Sequence, residues 1–94
     1  MKEIINLGER RAFRVDNYES RNEKEICYWK HSTEGYFIHF PARDGICGGL
    51  KLHTVAENPD GSISVSPSIL TTSREADNEY EIHGYLTNDV WRDA

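Results

Sequence analysis

Two runs dense in aromatic and β-branched residues, 26–31 and 36–40, are separated only by Ser32-Thr33-Glu34-Gly35. Such runs favour strands and a short polar linker ending in glycine has hairpin-loop chemistry, so the middle of the chain is committed to an antiparallel pair. Side chains alternate between the two faces of a strand. Ile26, Tyr28 and Lys30 therefore share one face and Cys27, Trp29 and His31 the other, while Tyr36, Ile38 and Phe40 oppose Phe37 and His39. Large apolar groups stand on both faces, which places this hairpin inside a sandwich or at a subunit interface.

The flanking segments read as further short strands. Residues 4–7 form an apolar run stopped by Gly8-Glu9-Arg10-Arg11, and 12–15 can return beside it as a hairpin partner. Residues 16–25 are polar and without period, a long exposed loop; 41–49, with three glycines, is a flexible connection. Alternation resumes over 50–55, and Asn58-Pro59-Asp60-Gly61 turns the chain into a strand where Ile63 and Val65 alternate with Ser62, Ser64 and Ser66 until Pro67 breaks the ladder. Residues 73–79 read as a polar loop, 80–87 as a strand turned at Asn88-Asp89, and 90–92 as its return. No capped run of helical period is present. The expectation is one domain, 1–94, all-β or nearly so: a small antiparallel sandwich or half-open barrel of about seven or eight short strands.

Charge narrows the partners. Eleven Lys and Arg stand against sixteen Asp and Glu, a net charge of −5, unsuited to holding a long phosphate backbone, so DNA and RNA are not expected partners. A local basic cluster can still hold a small anion. At 94 residues the core is small, and burial by self-association into a dimer or tetramer is expected. Cys27 and Cys47 form no C-x-x-C pair, no signal-like segment opens the sequence, and no apolar stretch is long enough to cross a bilayer, so the chain reads as cytoplasmic, with free thiols and no membrane partner.

The serine strand is the candidate lip of a site, because Pro67 leaves Ser66 and Ser68 free to reach something other than the sheet; the alternative is a serine-rich solvent face ending at a proline. Thr71 and Thr72 add hydroxyls, Arg43 or Arg74 a fork for phosphate, and Tyr85 and Trp91 flat surfaces for a base, in outline a small-nucleotide site. The four histidines and two cysteines lack the paired spacing of a zinc site, and no nucleophile elbow or acid–base pair is visible. No metal, no cofactor and no catalysis are expected.

The order of motifs resembles a family of small, mostly bacteriophage-encoded β proteins. The resemblance runs over 40–91 and rests on Phe40-Pro41, Cys47-Gly48-Gly49, His53, Ser66-Pro67-Ser68-Ile69-Leu70 and Ile82-His83-Gly84-Tyr85 through Trp91. The family pattern has cysteines where this chain has Phe40 and Ile82, so two of the metal ligands it implies are missing. In size, acidity and expected assembly the chain also resembles the phage anti-CBASS sponges, a likeness of general character rather than motif. That likeness implies immune evasion in the host cytoplasm: a non-enzymatic protein that sequesters a cyclic dinucleotide such as 3′3′-cGAMP. The alternative is a phage protein-interaction or structural module, a degenerate zinc-ribbon-like domain with no small ligand.

Overall fold

The computed structural model describes residues 1–94 and contains nine strands and one short 3-10 turn. In chain order the strands are β1 Lys2–Ile4, β2 Arg10–Arg14, β3 Ile26–His31, β4 Gly35–Phe40, β5 Ile46–Gly49, β6 Thr54–Glu57, β7 Ile63–Glu75, β8 Asn78–Thr87 and β9 Val90–Asp93. Eight of them form one curled sheet in the order β5-β4-β3-β2-β9-β8-β7-β6, a half-barrel, and β1 joins β8 off that path. The all-β expectation and the half-open barrel are what the chain forms.

The pairings differ from expectation in four places. β1 and β2 are not a hairpin: β1 lies parallel to β8 and β2 parallel to β3, so the sheet is mixed rather than wholly antiparallel. The Asp93 carboxylate holds the crossing between them, accepting from the N–H groups of Leu7 at 3.0 Å and Gly8 at 2.7 Å. The connection expected over 41–49 ends in β5, which pairs with β4 through Cys47 opposite His39. The strand expected over 50–55 begins only at Thr54, because Leu50 is buried and the chain turns there with His53 N–H donating to the Leu50 carbonyl. The loop expected over 73–79 is a two-residue turn, Glu75 pairing with Asn78 across a left-handed Ala76.

One face of the curled sheet carries the core. Ala12, Ile26, Tyr28, Ile38, Phe40, Ile63, Ile82, Leu86 and Trp91 are fully buried, as alternation along each strand requires. Trp91 meets Phe40 edge-on at 5.0 Å and lies against Gly84, where an added Cβ would strike both the indole and the Arg92 carbonyl. The other face of the β3–β4 hairpin is covered by the chain itself: Trp29 stacks on Phe37, Tyr18 packs edge-on to Trp29 at 5.9 Å, and Arg21 sits 3.7 Å over Tyr18. The 16–25 segment, exposed as expected, thus also lies over Trp29, and the second apolar face of the hairpin does not itself require another subunit. No helix is long and apolar enough to cross a membrane.

Candidate functional site

The residues read from the sequence as a nucleotide site are scattered. Ser66 and Ser68 flank Pro67 at a bulge in β7, where the four steps from Val65 to Ile69 oppose the two steps from Leu86 to Gly84. Ser68 is held there by two imidazoles, its hydroxyl 3.0 Å from His83 Nε2 and its carbonyl accepting from His53 Nε2 at 3.1 Å. Tyr85 is half-exposed beside His83. Arg43 and Arg74 lie at the far end of β7, roughly 20–25 Å along the strand, and each faces a carboxylate: Arg43 meets Glu75 at 3.5 Å and Arg74 meets Glu79 at 3.8 Å. Thr72 is exposed, whereas Thr71 is buried on the opposite face against Gly48. Trp91 has no exposed surface, so its indole is core and offers no face to a base. Two expected contacts, Thr71 and Trp91, thus point into the protein, and the arginines are remote from the serines.

A different set of residues converges. β9 ends its pairing with β2 at Val90 opposite Arg11, but β2 continues to Arg14, leaving one flank of its last residues without a ladder partner. Ala12 N–H donates to the Asp89 carbonyl on that flank and Val15 N–H to Tyr28 on the other; alternation therefore turns the Arg14 N–H towards the open flank. There, an open groove of about 530 Å³ is lined by Arg11, Phe13, Arg14, Tyr28, Val90 and the two turns carrying Asp60 to Ser62 and Asn88 to Asp89. Its volume falls in the range of small-ligand sites, ~300–1,000 Å³.

The groove is positive along one wall. Arg11 and Arg14 take part in none of the six ion pairs of the protein, although acidic residues outnumber basic ones. The Arg11 guanidinium stands 5.1 Å from the Phe13 ring centroid, and Arg14 donates weakly to the Tyr36 hydroxyl at 3.4 Å. Tyr36 in turn donates to Glu57 at 2.6 Å, which with the Lys30 ammonium holds the Glu57 carboxyl below its usual range. On the other wall the Asp89 carboxylate is buried and satisfied, accepting from Tyr28 and from Ile63 N–H, both at 2.8 Å. Asp60 is exposed and kept ionised by Ser62, whose hydroxyl and N–H donate to it at 2.6 and 3.0 Å.

A second, smaller pocket of about 240 Å³ is lined by Arg21, Glu23, His39, Arg43, Asp44 and Gly45. His39 is buried there with Nδ1 bound to the Glu25 carbonyl at 3.1 Å, and burial lowers its pKa. Cys27 and Cys47 flank His39 in register, yet no three His, Cys, Asp or Glu side chains converge as metal ligands. Sequence pattern puts Arg11 in the stop before a strand and Arg14 inside that strand; the early end of β9 is what makes the pair a site. Comparison with family models, with curated proteins and with solved structures finds no match.

Proposed function

We propose that the protein binds and sequesters a small nucleotide of the cyclic dinucleotide class without cleaving it, and that the β2 groove is the binding site. The observation that carries this reading is the pair of arginines without carboxylate partners, Arg11 and Arg14, facing one groove with the Phe13 ring in a chain of net charge −5. Guanidinium forks suit phosphate, the β2 flank adds a backbone N–H, and an aromatic face suits a base. No histidine, cysteine or lysine lines the groove, and the carboxylate that Ser62 meets, Asp60, is held below its usual range and so is a weak base; binding rather than turnover is the reading. A stoichiometric binder lowers free messenger by mass action, which is what immune evasion by a phage-encoded sponge requires. Self-association belongs to the same proposal, with the exposed Leu70 and Tyr85 on adjacent strands as the surface it would use.

Calorimetry with cyclic GMP-AMP and related cyclic dinucleotides tests it. Arg11→Ala and Arg14→Ala should each weaken binding by about ten- to hundredfold while leaving the fold intact, and the ligand recovered after denaturation should be unchanged. Absence of binding heat with every cyclic dinucleotide would promote the protein-interaction alternative.

A further inference from the structure

The two turns that line the groove with the arginines are joined, through Asn58 and Ser64 behind them, by a hydrogen-bonded chain whose two ends are left open. Asn58 Nδ2 donates to Ser62 Oγ at 3.0 Å and to Asn88 Oδ1 at 3.0 Å. Ser62 Oγ in turn donates to Asp60 Oδ1 at 2.6 Å, and Ser62 N–H donates to the same oxygen. At the other end, Ser64 Oγ accepts from the Asn88 N–H at 2.9 Å and stands 3.2 Å from Asn88 Oδ1, so its hydroxyl hydrogen goes to that oxygen. Both contacts on the Asn88 side chain call for an acceptor, which fixes the amide orientation. Asp60 Oδ2 and Asn88 Nδ2 take part in none of these bonds. One is an ionised acceptor and the other a donor, and both residues line the groove.

We infer that these two turns read a guanine base, an assignment that rests on the nucleotide reading of the groove. Guanine alone among the common bases presents two adjacent donors, N1–H and the N2 amino group, beside an acceptor, O6. The one open carboxylate oxygen, Asp60 Oδ2, has lone pairs for both adjacent donors, and the Asn88 amide N–H matches O6. Adenine places the N1 lone pair where guanine has N1–H, against the negative oxygen; cytosine likewise presents N3 as an acceptor, and uracil has one donor between two acceptors. Arg11 and Arg14 meet the phosphate, so the ligand spans the groove from base to phosphate. Phe13 supplies the stacking surface. Because Asn58 and Ser62 link the two readers, their orientation is set before the ligand arrives, and less ordering is lost on binding.

Cyclic di-GMP and cyclic di-AMP share one backbone, and their comparison isolates the base. Calorimetry on the wild type should show cyclic di-GMP binding about tenfold or more tightly than cyclic di-AMP. Asp60→Asn keeps an oxygen for Ser62 but turns the free acceptor into a donor, and should reduce that preference to within about threefold while cyclic di-AMP binding persists. Asn88→Asp, which tolerates the left-handed backbone at this turn (φ 49°), should also weaken cyclic di-GMP, by removing the donor to O6. Equal binding of the two ligands by the wild type, or a preference retained in Asp60→Asn, overturns the guanine assignment and leaves the nucleotide reading standing. No binding of either ligand overturns both.

Discussion

The Tyr28 hydroxyl donates to Asp89 Oδ1 at 2.8 Å, joining β3 to the β8–β9 turn through the floor of the groove. The same oxygen takes the Ile63 N–H, and the Asp89 carbonyl takes the Ala12 N–H at 2.7 Å, so one turn residue fastens three strands. Burial, and next the bond to Asp89, raise the Tyr28 pKa well above its ordinary value. The folded protein keeps this proton where the unfolded chain releases it. Its contribution to stability is therefore full below about pH 10 and declines as pH rises beyond that. Tyr36, raised by burial and by Glu57, acts in the same direction. Tyr28→Phe should lower the melting temperature at neutral pH by on the order of 10 °C and flatten the alkaline decline. A decline of unchanged slope in the variant would refute the assignment.

Asp93 makes the opposite prediction at acid pH. Burial opposes its ionisation, but the N–H groups of Leu7 and Gly8 and the Trp91 indole outweigh burial and hold its carboxyl below the usual range. A depressed carboxyl contributes stability above the unfolded value, about pH 4, that is lost as pH falls through the folded value. Asp93→Asn turns one of its oxygens into a donor facing a donor. It should be less stable at pH 7 and lose less stability on acidification, as thermal melts at pH 7 and pH 3 would show; parallel losses in both proteins would count against the clamp.

Gly84 is fixed by contact rather than by turn geometry. A methyl there would strike the Arg92 carbonyl and the Trp91 ring, neither of which can move without opening the β8–β9 pairing or the core. Gly84→Ala should cost about 1–3 kcal/mol or more and lower expression, whereas a variant melting with the wild type would show that Trp91 does not pack as described.

Fold and site were legible to different depths, for physical reasons. β8, with one apolar face, announces itself by alternation, β3 and β4, apolar on both, by their density of aromatic and β-branched residues, and the Asn88-Asp89 turn by two residues that tolerate the left-handed backbone both adopt here. The parallel placement of β1 and β2 was hidden, since local pattern says which residues face inward but not which strand lies beside which. The site was missed for the same reason. Arg11, Phe13 and Arg14 are unremarkable on a short strand, and Asp60 and Asn88 look like ordinary turn residues; only the end of β9 and the approach of the two turns bring them to one groove. Trp91 misled because a tryptophan near a strand end is equally fit for a core or a stacking platform.

The two arginine sets predict different responses to substitution and salt. Arg43 lies between Glu75 and the Tyr80 ring, 4.5 Å from its centroid, and Arg74 faces Glu79. A ligand phosphate would have to displace a carboxylate at either. Arg11 and Arg14 have no carboxylate to displace, so a phosphate gains their charge without that loss. Arg43→Ala and Arg74→Ala should therefore change cyclic dinucleotide affinity by less than about threefold, against the ten- to hundredfold effects expected in the groove. Arg14→Lys should lie between, since it keeps the charge but gives up the planar fork. Raising ionic strength should weaken wild-type binding and should weaken Arg14→Ala less steeply, because one screened contact is already gone. Titrations at two salt concentrations decide the matter: a large loss in Arg43→Ala or Arg74→Ala with none in Arg11→Ala or Arg14→Ala would return the binding site to the far end of β7.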